Sequence, residues 1–242
     1  MVLALLWEFI GRFIITGNYA FAPLSAVIGE TIHDFADGFI YVHLFTSGFE
    51  LAVGFGAAAI VGVVMGVLIG VSRTVSDYFL PVIYAANATP IVALAPLFIL
   101  LFGVGPVSKI VIIFLLCYFA VLVNTMAGVR TVDASLVEAA RAFCASRNQI
   151  IWNVLLPNSV PFIVAGLRSA LGRGLVGIVV AELYGASAGL GYLAWAASEQ
   201  MNARLMFVAV SILAVAGVAC THALDILERR IAPWRRLPGD VE

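Results

Sequence analysis

Three charged residues lie inside one strongly apolar run: Arg168, Arg173 and Glu182, all between positions 160 and 184. A charge at membrane depth costs on the order of 3 kcal/mol, so such a group faces a water-filled path or a partner. At roughly 100° per residue, Arg173 and Glu182 stand on opposite sides of a straight helix. They cannot both line one path. Arg173 shares its face with Gly166, Ala170, Gly177 and Tyr184, whereas Glu182 shares its face with Arg168 and Leu175. A cation on a solute path suits an anionic solute, so Arg173 is the residue of interest; its structural alternative is a salt bridge or a contact to carbonyls. Glu182 is expected near the outer gate or paired with a neighbouring helix. Pro90 and Pro96 join these two as candidate pathway residues.

Two other constellations invite chemistry. Gly185-Ala-Ser187-Ala-Gly189 fits the G-x-S-x-G pattern of serine hydrolases, and His222 lies in the next apolar run, as an intramembrane serine protease would require. The pattern arises easily in Gly/Ala-rich sequence, follows a helix and not a strand, and has Ser187 and His222 near opposite membrane faces. His33, Asp34 and Asp37 have spacing that suits a metal on one helical face, but a solvated face of a short external helix accounts for them better. His43 has no ligand partner nearby. Cys117, Cys144 and Cys220 are scattered, so they form neither a disulfide framework nor a zinc pattern.

The elements that position these residues follow from composition. The chain is 63% hydrophobic and 11% charged, against about a quarter charged for a soluble domain. The excess apolar surface must face lipid. A net charge of −1 gives no basic surface for nucleic acid. Five runs are long enough to cross a bilayer: about 49–71, 80–103, 107–128, 160–184 and 205–227. The turn Gly103-Val-Gly-Pro106 makes 80–103 and 107–128 an antiparallel hairpin. Residues 1–15 would reach only roughly 22 Å as a helix, half a span. With no basic residues ahead of them and with Glu8 and Arg12 interrupting, they do not read as a cleaved signal. This stretch is expected to lie at the interface, or to continue a first helix that begins upstream. The division is therefore 1–47, a partial N-terminal helix and external segment; 48–236, the transmembrane domain; and 237–242, a tail.

Basic residues set the orientation. Arg73, Arg130, Arg141, Arg147, Arg229, Arg230, Arg235 and Arg236 fall on one side, and only Lys109 and Arg204 dissent. Loop 16–47, with Glu30, Asp34 and Asp37, and segment 185–203 are expected outside, and the C-terminus in the cytoplasm. No internal repeat is evident, which disfavours a single-chain secondary transporter. A passive channel would not need the docking element described next. Ala58, Gly62, Gly66 and Gly70 form a small-residue stripe at a spacing of four, a close-packing face either within the subunit or against a second copy. Pro81, Pro90 and Pro96 are expected to kink the second run beside a cavity.

The loop 129–158 carries the most specific pattern. Asp133 can cap a short helix, with Ser135 and Glu138 at capping-box spacing, and Leu136, Ala140 and Phe143 give that helix one apolar face. Ser146 and Gln149 form a second capping box, opening a helix expected to stop at Pro157. Two short amphipathic helices outside the membrane read as a docking element.

Glu138-Ala139-Ala140, a small residue, Cys144, four positions later, and then Leu156-Pro157 resemble the EAA loop of the permease subunits of type I ABC importers. Pro23-Leu-Ser-Ala-Val27, Pro96-Leu-Phe98, Phe102-Gly-Val-Gly105, Asn124-Thr125, Gly128-Val-Arg130, Gly185-Ala-Ser187 and Gly189-Leu-Gly191 resemble the nitrate, sulfonate, taurine and bicarbonate branch. The resemblance covers roughly residues 21–236. It implies an all-α, MetI-like membrane fold with five core helices plus a partial first one, in a bacterial inner membrane. It also implies a homodimeric pathway, a cytoplasmic ABC ATPase dimer gripping the EAA loop, and a periplasmic or lipid-anchored solute-binding protein. Thiamine-precursor permeases share the branch. The chain has no phosphate-binding Gly-rich loop with Lys, so ATP hydrolysis falls to the partner. Cys144 departs from the family's usual glycine; if that position needs a positive φ, Cys costs on the order of 1 kcal/mol.

Overall fold

The computed structural model describes residues 2–14 and 21–231, all helix and connecting turns, with no strand among them. The helices are α1 (Val2–Phe9, continued by a π turn Ile10–Ile14), α2 (Leu24–Ala36), α3 (Phe39–Gly70), α4 (Arg73–Ala88), α5 (Ala95–Phe102) and α6 (Pro106–Arg130). They are followed by α7 (Ala134–Ala142), α8 (Arg147–Ile150), α9 (Leu156–Leu183), α10 (Leu190–Glu199) and α11 (Ala203–Ile231). Four helical stretches are long and apolar enough to cross a membrane: Phe39–Gly70, Pro106–Arg130, Arg147–Leu183 and Ala203–Arg230. A fifth is formed if α4 and the stretch Ile91–Phe102 count as one broken span. Arg235, Arg236 and the tail 237–242 lie outside the described residues.

The sequence boundaries need three corrections. The first span begins at Phe39 and not at 49, so the division after residue 47 falls inside α3. Pro81 sits within α4 without ending it. The break comes instead at Thr89-Pro90, where Thr89 turns extended (φ −67°, ψ 129°) as the residue before a proline prefers, and Pro96 falls in the first turn of α5, where a missing N–H costs nothing. Finally, Pro157 stops nothing. Between α8 and α9 the chain makes a π turn, Ile151–Leu155, and runs on to Leu183 as one stretch. A π turn shifts carbonyl pairing by one residue, so a position without an N–H can be skipped. Asn158 Nδ2 and Ser159 Oγ also donate to the carbonyls of Val154 (2.7 Å) and Leu155 (2.6 Å).

The residues group into two units, each fed by α3, α6, α9 and α11. In the first (Met1–Val53, Val92–Ile112, Leu175–Gly217) the core is Ala22, Val27, Ile40, Leu190, Leu193, Val208 and Ala209. Trp7 closes it, with its ring 5.4 Å from Phe207 and its Nε1 donating to the Ala22 carbonyl at 3.0 Å. Lys109 is buried here and paired with Glu50 at 2.9 Å. This explains its dissent from the charge pattern: it neutralises a carboxylate instead of marking a membrane face.

The second unit (Gly54–Ile91, Ile113–Gly174, Val218–Glu242) is built on the small-residue stripe. Gly62, Gly66 and Gly70 of α3 lie against Val121, Thr125 and Val129 of α6, matching spacing of four with spacing of four. A methyl group on Gly66 would meet Thr125 Cβ at 2.6 Å and the Leu122 carbonyl at 2.9 Å. The stripe is thus a packing face within the subunit. Ile69, Ile83, Leu122 and Met126 extend that core to α4.

Candidate functional site

The candidate coupling segment lies wholly in the second unit. Asp133 caps α7 by accepting from the Ser135 N–H (2.9 Å), which holds its carboxyl below the usual aspartate range. At the other end, the Ala145 N–H bonds the Ala140 carbonyl (3.0 Å) and the Cys144 N–H bonds the Arg141 carbonyl (2.9 Å). This is a Schellman ending, which needs a left-handed residue between the two helices. Cys144 supplies it at φ 56°. The Ser146–Gln149 capping box opens α8 with both of its bonds present. Leu156 and Pro157 begin α9.

No residue of α7 is buried. The expected apolar face is present and largely uncovered: Leu136 is 45% exposed and Phe143, at the C-cap, is 89% exposed. Ala139 is exposed and Ala140 partly so. Glu138 and Arg141 instead line a cavity of about 1010 Å³, together with Arg73, Asp77, Arg130 and Arg147. Arg130 is held there by Ser76 Oγ at 2.8 Å and Asp77 at 3.7 Å.

The charged residues of α9 divide. Arg168 forms a bridge to Asp225 and to Glu228 (3.2 Å) on α11, a pairing that the sequence did not suggest. Arg173 is exposed and donates from Nη1 to Asn87 Oδ1 at 2.9 Å, just before the break at Pro90. Pro90 is exposed and Pro96 is exposed.

Glu182 is fully buried in the first unit, where its carboxylate belongs to a clasp that sequence reasoning missed. The first four N–H groups of a helix have no partner within the helix. In α10 all four are met by other elements. With the His43 proton on Nε2, Gly189 N–H donates to His43 Nδ1 (3.1 Å), Leu190 N–H donates to Ser47 Oγ (2.7 Å), and Gly191 and Tyr192 N–H to Glu182 Oε2 (2.6 and 3.3 Å). Ser47 Oγ in turn donates to Glu182 Oε1 at 2.6 Å. A side chain at residue 189 would strike the Glu182 carboxylate, and Gly189 also has φ 131°. Segment 185–203 thus holds a helix pinned to α3 and α9. His43 and Ser47, one turn apart on an apolar helix, were the available signal; Glu50, the next polar residue on that face, pairs with Lys109.

The rival sites find no support. Ser187 follows a helix, and no strand lies among the described residues to form a nucleophile elbow. His33 and Asp37 pair at 3.3 Å on an exposed face, Asp34 is buried, and no group of three metal-ligating residues occurs among the described residues.

Residues 58–237 match the family model described as "Binding-protein-dependent transport system inner membrane component". The chain is 35% identical to the putative aliphatic sulfonates transport permease protein SsuC of Bacillus subtilis, over 97% of this chain and 85% of that protein. It is 34% identical to the taurine transport system permease protein TauC of Escherichia coli, over 86% and 74%. Among solved structures, a chain of the MetNI methionine ABC transporter in an inward-facing conformation superposes with a TM-score of 0.67 at 20% identity, over 80% of this chain and 98% of that one. The fold is therefore that of the MetI-like importer permeases, and the chain is a transport component and not an enzyme. With the family model spanning most of its length, and relatives above 30% identity along nearly all of it, this chain belongs to the binding-protein-dependent transport system inner membrane components.

Proposed function

We propose that this chain is the permease of an ATP-driven importer for a small anion of the sulfonate, taurine or nitrate type. It pairs with a second copy to enclose the pathway, and an ABC ATPase dimer binds its coupling segment on the cytoplasmic side, where its C-terminus also lies. A periplasmic or lipid-anchored solute-binding protein delivers the solute from outside. The observation that carries the docking role is the uncovered apolar face of α7, with Leu136 and Phe143 exposed on a helix capped at both ends. A rigid, capped helix transmits displacement, whereas a frayed one would absorb it. ATP-driven closure of the ATPase dimer moves this handle, in which Glu138, Ala139 and Ala140 are the residues gripped and Cys144 sets the turn to α8. Because α8 runs without interruption through Leu156 and Pro157 into α9, motion at the handle reaches Arg173 along one helical stretch. The solute path then alternates between outward-open and inward-open states, a population shift driven by contacts that differ between the two.

Arg173 supports the anionic substrate: it is an exposed guanidinium at membrane depth, oriented by Asn87, and relatives are named for sulfonate, taurine and nitrate. Capture of the cognate binding protein, followed by a ligand screen, identifies the solute. In proteoliposomes with that binding protein and the ATPase, Arg173→Ala is expected to abolish uptake while leaving complex assembly intact. Full uptake by Arg173→Ala removes the residue from the path, and uptake that survives deletion of 133–157 removes the importer mechanism.

A further inference from the structure

A second cavity, of about 630 Å³, lies along the last turns of α3. Val64, Val67 and Leu68 form one wall and Trp152 and Leu156 the other, with Arg147 and Asn148 at the end; no carboxylate lines it. Val64, Leu68 and Trp152 are 51%, 61% and 67% exposed, on helices long enough to cross the bilayer. This is not a buried packing defect. It is an apolar groove open to the surface at the end of a span, where a tryptophan prefers to sit.

Its polar end adjoins the cavity behind α7, and Val71, Arg147 and Ile151 line both. There Arg73, Arg130, Arg141 and Arg147 face two carboxylates, Asp77 and Glu138. Arg130 is engaged with Asp77. Among the described residues, Arg73, Arg141 and Arg147 have no carboxylate within ion-pairing distance. The combined space is therefore an apolar slot leading to an excess of cations, the chemistry of an anionic amphiphile.

We propose that this groove holds one anionic phospholipid, its acyl chain between α3 and the Trp152–Leu156 stretch and its phosphate on Arg147. The π turn Ile151–Leu155 carries Ile151 and Trp152 into the groove, so the lipid would rest on the junction joining the coupling segment to α9.

The test uses full-length permease in nanodiscs of mixed phosphatidylglycerol and phosphatidylcholine, transferred to mild detergent, with retained lipid measured by mass spectrometry. Wild type is expected to retain phosphatidylglycerol preferentially, and Arg147→Gln to lose about fivefold of that preference. Leu68→Trp, which fills the slot and leaves Arg147 in place, is expected to lower retention of both lipids. Equal retention of the two lipids by wild type, or an unchanged preference in Arg147→Gln, overturns the proposal. So does displacement by glycerol phosphate as effective as by short-chain phosphatidylglycerol, which would make this a free-anion site. Disulfide formation between Leu68→Cys copies in membranes would assign the groove to a second permease and also overturns it. Should Arg147→Gln fail to fold, the wild-type preference and the glycerol phosphate competition decide the matter alone.

Discussion

Removing the Glu182 carboxylate tests the clasp on α10 most directly. In Glu182→Ala the N–H groups of Gly191 and Tyr192 lose their acceptor, and Ser47 Oγ loses the group it donates to. A buried donor left unpaired costs about 1–3 kcal/mol. Gly191 at 2.6 Å lies at the upper end, and Tyr192, at 3.3 Å and half-buried, at the lower. With the emptied volume added, the loss is about 4–6 kcal/mol. Glu182→Gln has nearly the same shape and keeps an oxygen for both N–H groups, so it should lose no more than about 1–2 kcal/mol.

The two variants are compared by apparent Tm in detergent, where about 2–4 °C per kcal/mol is expected for a chain of this size. The gap between Gln and Ala should then be several degrees, and proteolysis within 184–189 should accelerate in Ala alone. Equal Tm values for the two variants would refute the reasoning, because they would show that the N–H groups find water or other acceptors once the carboxylate is gone. Gly189→Ala approaches the same contact from the other side and should resemble Glu182→Ala, since its Cβ would occupy the carboxylate's place.

Gly66→Ala must part α3 and α6 by about 1 Å to restore ordinary carbon contact, at a cost of about 1–3 kcal/mol; a Tm equal to wild type would contradict the packing. Lys109→Met leaves Glu50 buried beside no cation, with an expected loss of about 3–5 kcal/mol that Glu50→Gln in the same chain should partly restore. Cys144→Gly relieves a left-handed non-glycine residue and is expected to stabilise the turn by up to about 1 kcal/mol while keeping or raising coupled ATPase activity; a clear loss of transport would contradict this. Because the folded state lowers the Asp133 pKa, its cap is complete above the ordinary aspartate value and is lost as pH falls through the lowered one. Hydrogen exchange across 134–142 should therefore quicken only in acid, and in Asp133→Ala already at neutral pH.

Much of the fold was legible because lipid leaves few alternatives. Runs of twenty apolar residues had to be helices, and a small residue every fourth position had to meet another helix closely. The caps of α7 and α8 were equally readable, since capping is local chemistry within four residues. What failed was also local in appearance but not in cause. Pro157 reads as a stop in any window of sequence, yet the π turn before it lets the helix continue. The break at Pro90, among three prolines in one run, was chosen by the surroundings: Pro81 and Pro96 lie where the helix tolerates them.

Arg173 and Glu182 show why spacing alone could not assign the pathway. The helical wheel placed them on opposite faces, and they do differ, the arginine exposed and the carboxylate fully buried. The wheel could not say which face was which, because that depends on partners 135 and 86 residues away, Ser47 and Asn87. Even so, one non-local feature had left a mark in the sequence. A histidine, a serine and a glutamate at i, i+4 and i+7 make a polar stripe down an otherwise lipid-soluble helix, and lipid offers such groups nothing. They require donors and acceptors from another segment. Glu50 is answered by Lys109, whereas His43 and Ser47 meet the start of α10, where Gly189 and Gly191 leave room for a third group, the Glu182 carboxylate from α9, to reach the backbone. The glycines there are dictated by the glutamate they cradle more than by the turn they make.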